Sequence, residues 1–401
     1  MFNKNVIVEL IITVCLTISM ASACYCSPLR LMAMGDMQGI VEDESDYSMN
    51  IARIIDVNKD YISAFSSSNK YSSDLNDFNV PPKSSNPSRI IQDDEGVRSK
   101  TCFRLVKKIN ENVGIYIENT SRNIQSRLNA TAVTTITTSE QLSRYSDYFT
   151  TLGIGYGITD NMSLGIGYDW YNDWSGDFNA AFGGLRYKFL NYELDMDLGE
   201  KKESQIFSFD TPYVNSKTVS RQRYLAALSM ALFNDSLLLS FGQRSSIYFY
   251  DGYSNRYAGM QYKLTDNILL AYGISDADFA DTWFFNKYSY NRVGLEIKPF
   301  FFNGLVLQCG LGEKRFSVVS QEENFKSATN ITCGIQYALF DNISIEFAQK
   351  AYKGYLYLED FDEYGAGSMP IPMGYNSNNY FSIDESNNYN TYSLFELIIK
   401  F

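Results

Sequence analysis

The sequence predicts an all-β chain: a single closed antiparallel transmembrane β-barrel of about 16 strands (14–18), with short turns at one end and longer loops at the other. Three observations predict it. A short turn recurs along the chain, apolar residues alternate with small or polar ones beside each turn, and the last stretch carries spaced apolar residues up to Phe401.

The turn reads Ile158-Thr159-Asp160-Asn161-Met162, Phe189-Leu190-Asn191-Tyr192 and Phe233-Asn234-Asp235-Ser236. It returns as Leu264-Thr265-Asp266-Asn267-Ile268, Phe302-Asn303-Gly304-Leu305 and Phe340-Asp341-Asn342-Ile343, with a divergent copy at Ile109-Asn110-Glu111-Asn112-Val113. Asn, Asp and Gly supply the backbone freedom that tight hairpin turns need. With positions 160, 191, 234, 266, 303 and 341 as markers, the intervals are 31, 43, 32, 37 and 38 residues. A membrane strand takes about 9–11 residues, so two strands, a tight turn and a longer loop fill roughly 30–40. A propeller blade has a similar period, but its four strands would be far shorter.

The segments beside the turns repeat with period two, as half-buried strands do. Leu152, Ile154, Tyr156 and Ile158 alternate with Gly153, Gly155 and Gly157; Met162, Leu164, Ile166, Tyr168 and Trp170 alternate with Ser163, Gly165, Gly167 and Asp169. Ile268, Leu270, Tyr272 and Ile274 form another stripe, as do Val293, Leu295 and Ile297, and Ile331, Cys333, Ile335, Tyr337 and Leu339. In a soluble sandwich the apolar face would point inward. In a membrane barrel it points at lipid and the other face lines the lumen. Seven turns join fourteen strands; a strand at 60–68, before the one at 101–108, and a closing strand at 392–401 bring the count to sixteen.

The N-terminus predicts export. Residues 1–23 have a basic start at Lys4, an apolar run from Val6 to Met20 and an Ala21-Ser22-Ala23 cleavage site, which make a signal peptide. Cleavage there would leave Cys24 first, so a lipoprotein stays open. Residues 24–58 are a periplasmic leader or a lumen hatch, and 59–401 form the barrel. No later run of about 20 apolar residues offers a spanning helix. A membrane-bound mature chain would therefore cross as a closed barrel, the other structure that satisfies every backbone group in lipid.

Composition narrows function by removal. The chain has 401 residues, 31 Tyr and 27 Phe against 3 Trp, and a net charge of −12. Tyr suits a membrane–water boundary. The acidic balance, without a Lys/Arg cluster, argues against nucleic acid. Acidic charge in a lumen or in loops would favour cations. There is no His. Ser–His and Cys–His pairs, HExxH metal sites and His general bases are thereby excluded, and no enzyme activity, cofactor or metal is expected. The six Cys contain no CxxC pair. Cys309 and Cys333 fall on the apolar faces of neighbouring strands as two lipid-facing thiols; a disulfide between them would need matched register.

Phe395, Leu397, Ile399 and Phe401 alternate with Glu396, Ile398 and Lys400. This resembles the C-terminal assembly signal of bacterial outer-membrane barrels, and implies insertion into the cell outer membrane by the barrel-assembly machinery. The stretch from Arg30 to Ser45 holds Met34-Gly35, Gly39 and Glu42-Asp43. It resembles the opening of long-chain fatty-acid transporter barrels, which are porin-like proteins, although the Gly-Gly pair and the Pro of their Asn-Pro-Ala step are missing here at Asn50-Ile51-Ala52. In that family this segment forms a hatch in the lumen, and the barrel carries hydrophobic compounds. The resemblance implies a hatch built on Met34, Gly35, Gly39, Glu42 and Asp43; Gly153, Gly155, Gly157, Gly165 and Gly167 would leave it room. The alternative is a periplasmic leader or short amphipathic helix.

Glu296, Lys298 and Gln336 are the lumen-lining candidates. The polar stretches 66–86 and 359–390 read as long surface loops. The leading functional expectation is a porin-like or hatch-gated channel for passive uptake of small solutes or hydrophobic compounds. The alternative is a structural or adhesive surface barrel with its function in the loops. Outer-membrane lipid is the expected partner. The solute, the oligomeric state and whether the lumen is open or plugged stay open.

Overall fold

The computed structural model describes residues 28–43, 50–74, 90–132, 137–173, 176–207, 215–245, 254–278, 285–318, 321–353 and 389–401. The signal peptide, Cys24 and most of the acidic stretch 359–390 lie outside them.

Sixteen strands form one closed antiparallel barrel. The first eight are β1 (Tyr61–Asp74), β2 (Ile90–Asn110), β3 (Val113–Ala132), β4 (Thr137–Thr159), β5 (Met162–Asp173), β6 (Gly176–Phe189), β7 (Tyr192–Phe207) and β8 (Asn215–Leu232). The rest are β9 (Leu237–Ser245), β10 (Ser254–Thr265), β11 (Ile268–Asp278), β12 (Phe285–Ile297), β13 (Leu305–Val318), β14 (Gln321–Phe340), β15 (Ile343–Lys353) and β16 (Tyr389–Lys400). Each strand pairs with its sequence neighbours, and β1 meets β16 with Tyr61 opposite Lys400 and Lys70 opposite Thr391. The all-β class, the closure and the count of sixteen match the sequence reading.

Strand length does not. A bilayer needs about 9–11 residues, yet β4 has 23, β2 has 21, and β3 and β14 have 20 each. The extra length lies at the loop end, where polar residues continue the ladder. The stretch expected as a loop from Ser66 is instead β1 as far as Asp74. As far as Lys70 it pairs with both β2 and β16, and Tyr71–Asp74 continue the ladder with β2, so ladder bonds rather than apolar side chains hold this stretch.

All seven short turns lie at one end. Their chemistry differs in part from the expected left-handed Asn and Asp. At β2–β3, β4–β5 and β10–β11, a side-chain oxygen of Asn110, Thr159 or Thr265 accepts from the N–H two residues on, 2.9–3.3 Å away. Each of these turns adjoins a register shift. Positive φ falls instead on Leu190, Phe233, Asn234, Asp235 and Gly304.

The turns also touch the next hairpin. Asn112, Asn161, Asn191, Ser236, Asn267, Gly304 and Asn342 each offer a carbonyl to an N–H of the strand beyond, at Gly157, Lys188, Ala231, Lys263, Lys298, Ala338 and Lys400, over 2.7–2.9 Å. The last residue before each odd-numbered strand from β3 to β15 thus adds one bond to the ladder that this strand makes with the following even one.

The faces are inverted relative to a soluble protein. Ile154, Ile166, Leu311, Ile335 and Phe395 are exposed on the outside, while Asp169, Glu296, Gln308, Gln336 and Glu396 are buried inside. Large apolar side chains also crowd the turn rim, with Ile109, Phe189, Leu190, Phe233, Leu264, Phe302 and Phe340 all exposed. The apolar core is in the lumen, where residues 28–43 and 50–57 pack against the wall.

Closure can be checked by chemistry. Ala64 and Leu397 are directly opposed across the β1–β16 seam. The double variant Ala64→Cys/Leu397→Cys is expected to cross-link within one chain on oxidation of the folded protein, seen as a linked peptide pair by mass spectrometry. An open sheet would give no such link.

Candidate functional site

The site is the N-terminal segment and the lumen wall that holds it. It begins with a short helix, α1 (Pro28–Ala33), continues through turns to Asp43, and resumes at Asn50 with a 3-10 turn, Ile51–Asp56. Gly35 and Gly39 both adopt positive φ, +92° and +77°, which fold the chain back after α1. The Asn50 side chain accepts from the N–H of Ala52 at 3.0 Å and starts the 3-10 turn.

Three apolar clusters seat the segment. Leu29, Met32 and Ala33 pack with Phe65, Cys102, Ala348 and Leu394. Leu31, Met34, Met37, Ile40 and Val41 pack with Tyr257, Leu269 and Ala271. Ile51, Ile54 and Val57 pack with Tyr61, Val106, Tyr116, Phe182 and Ile398. Wall glycines are needed for close approach. A Cβ at Gly310 would fall on the backbone of Met34 and Gly35, and one at Gly165 on the backbone of Ile51 and Ala52. Gly153, Gly155 and Gly157 face side chains of Ile51, Ile54 and Ile55. Gly167 departs from the group expected to make room for the segment: the ring of Phe182, a wall residue, fills its space.

Buried charges fasten the same segment. Arg30 lies on Glu296 through Nε to Oε2 at 2.6 Å and on Asp43 through Nη1 to Oδ2 at 2.9 Å, and donates to the Glu42 carbonyl at 3.0 Å. Burial opposes its charge, but Glu296 and Asp43 outweigh that and hold its pKa above the usual guanidinium value. At the other end Arg53 pairs with Glu193 and Asp195, Arg186 with Asp56 and Glu193, and Asn50 donates to Asp195 at 2.7 Å. Between them Thr332 donates to the Ala33 carbonyl at 2.8 Å, and Lys350 pairs with Asp36 at 3.0 Å. Tyr290 donates to the Gly35 carbonyl at 3.2 Å, and Lys314 and Arg292 both lie 4.9 Å from its ring.

A cavity of about 450 Å³ separates the segment from part of the wall. Ile40, Val41 and Arg53 bound it on one side, and Leu225, Ala227, Leu238, Ser240 and Tyr257 on the other. Lys188, Asn191, Asp235 and Lys263, at or beside the short turns, also line it, so it lies at that end.

Glu296 and Gln336 are buried on the inner face. Lys298 lies past β12 beside the turn, half-buried, and burial lowers its pKa. Met34, Gly35 and Gly39 sit in the folded-back turns. The acidic pair divides: Asp43 is buried on Arg30, whereas Glu42 has its side chain exposed and donates its backbone N–H to Gln261 at 2.9 Å. Phe395, Leu397, Ile399 and Phe401 line the outer side of the final stretch. Sequence reasoning missed Arg30, Arg53, Asp56, Arg186, Glu193 and Asp195 as partners. One signal was present: Glu193, Asp195 and Asp197 alternate with Leu194, Met196 and Leu198 along β7.

With this geometry in view, the barrel can be set beside solved structures. The barrel resembles the deltaS2S3 mutant of the TodX monoaromatic hydrocarbon channel, with a TM-score of 0.51 and 9% identity over 94% of this chain and 98% of that one. It resembles the P. putida toluene transporter TodX with a TM-score of 0.50 and 8% identity over 94% and 99%. What they share is the fold. No protein-family model and no curated protein matches the sequence.

Glu296→Ala would take one of the two carboxylates from Arg30 and keep Asp43 and the Glu42 carbonyl, so it is expected to cost up to about 3 kcal/mol, the low end for a buried pair broken outright. Residues 28–57 of the folded variant are expected to be cleaved by added protease well before those of the parent or of Glu296→Gln, which keeps an acceptor, while the strands stay intact.

Proposed function

We propose that the protein is an outer-membrane, hatch-gated channel for passive uptake of small solutes or hydrophobic compounds, acting without catalysis or cofactor. One observation carries the reading: a segment of the chain's own N-terminus occupies the lumen through ion pairs as well as apolar contacts. An apolar core alone would fill the barrel permanently. Charged contacts such as Arg53 with Glu193 and Asp195 can exchange with water, so the seat is one that can be left. The cavity beside Ile40 and Tyr257 supplies a place for a solute at the turn end.

Several features support the membrane. Outward Ile, Leu, Val and Tyr on consecutive strands form an apolar belt, and the turn rim adds exposed Phe and Leu at the boundary. The fold is also that of the monoaromatic hydrocarbon and toluene channels above. The hatch resemblance of residues 30–45 to long-chain fatty-acid transporters fits a hydrophobic cargo. A filled lumen equally suits the second reading, a structural or adhesive surface barrel. Deleting long loops would then abolish partner binding without affecting insertion.

Planar-bilayer conductance and solute flux into vesicles separate the two. The full chain is expected to pass little current, and deletion of residues 28–57 is expected to raise conductance at least tenfold. If the intact and deleted barrels both pass neither ions nor solutes, the channel reading is lost.

The belt is testable by itself. Ile166 is 65% exposed on the outer face of β5. Ile166→Lys is expected to cost about 2–4 kcal/mol for folding into lipid vesicles, read from urea titrations. The same change on a water-facing surface costs within about 0.5 kcal/mol.

A further inference from the structure

Cys309 on β13 and Cys333 on β14 are opposed residue to residue, in a stretch of ladder with no register shift. Both are exposed on the outer face, and the structure holds them as free thiols. Opposed residues in an antiparallel pair have Cα atoms about 4.5 or about 5.5 Å apart, depending on the hydrogen-bonding position. Both separations fall within the range of about 4.4–6.8 Å that a disulfide spans. Sharing a face, the two Cβ atoms point the same way, as a bridge between them requires.

We propose that Cys309 and Cys333 form a cross-strand disulfide, a covalent staple on the outside of the wall. The neighbouring pairs show what it would hold. Gly310 opposes Thr332 and Gln308 opposes Gly334, and Gly310, Thr332 and Gly334 are the positions on which Ala33, Met34 and Gly35 rest. Two of those four wall residues have no side chain, because the segment needs the space. Cross-strand side-chain contacts, the usual unit of sheet stabilisation, are therefore lost on the inner face at this point. The staple restores them on the outer face. Outward Leu307, Leu311, Ile331 and Ile335 surround the thiols and would keep aqueous reductants away from the bond.

The oxidant is a disulfide of a thiol–disulfide oxidase. One cysteine, as thiolate, attacks that disulfide, giving a mixed disulfide and releasing one oxidase thiol. The second thiolate then attacks the mixed disulfide. The two cysteines lose two electrons, the oxidase disulfide becomes a dithiol, and the two thiol protons balance it. Access to an oxidising compartment rests on the outer-membrane reading above.

The test uses the full-length protein refolded from denaturant into detergent micelles in the presence of oxidised glutathione, which meets the thiols before the apolar surround forms. Remaining thiols are alkylated and the chain is digested with trypsin. Cleavage after Arg292, Lys314, Lys326 and Lys350 puts Cys309 in peptide 293–314 and Cys333 in peptide 327–350. These two peptides are expected joined, released by reductant, and never joined in Cys309→Ser. Separate glutathione adducts on the two cysteines overturn the proposal. The same digest is then run on protein from cells. Joined peptides are expected in the outer-membrane fraction, and a reduced pair in that fraction overturns the proposal. A reduced pair recovered from the cytosol alone, with the micelle link formed, counts instead against the outer-membrane reading and leaves the pair supported.

Discussion

Everything in this molecule depends on closing the sheet. A strand edge presents a row of unpaired N–H and C=O groups, and a barrel has no edge. The seam between β1 and β16 supplies the last ladder, after which the wall can turn its apolar side chains outward. The backbone satisfies itself, so side chains need not shield it. That releases the inner face to carry charge and glycine. The inverted distribution, Ile166 outside and Asp169 inside on the same strand, is a consequence of closure.

The inner face then poses a second problem, because buried charge is costly unless paired. Among the described residues, eight basic and eight acidic side chains are buried. The net charge of −12 is thus not a property of the buried lumen, and the expectation of a cation-favouring interior does not follow from it. Around Tyr290 the local balance is even reversed, with Arg292, Lys314 and Lys350 gathered against Asp36. Pairing between wall and segment makes this interior tolerable. Arg30 and Glu296 are 266 residues apart, and each offsets the other's buried charge where it lies.

The fold was legible because turns are local. Asp160-Asn161, Asp266-Asn267 and Asp341-Asn342 announce themselves in a few residues, and their spacing gives the strand number. Strand length was not legible: β4 runs past its apolar stripe into Ser, Thr and Gln, held by ladder bonds that leave no compositional mark. At the site, Gly153, Gly155 and Gly165 were visible as small positions, but that Gly167 serves Phe182 depends on one ring's rotamer. The ion pairs were invisible for another reason. Arg53 and Asp195 carry no mark of each other, since it is the seating of the N-terminal segment in the lumen that brings them together. Cys309 and Cys333 stood on matching stripes, but that they face one another depends on the register of β13 against β14, which the stripes do not fix.

The bonds from each turn to the next hairpin have a consequence for the opposite end. Register in a hairpin is ordinarily fixed by its own loop. Here the connections at the other end, from residues 174–175 between β5 and β6 to residues 354–388 between β15 and β16, join the same pairs that the carbonyls of Asn112, Asn161, Asn191 and their counterparts pin from the turn end. Loop and register are therefore uncoupled. Residues can be inserted, deleted or replaced at the loop tips without sliding one strand past another, and the wall keeps its inside and outside. The loop end can diversify while the frame stays constant.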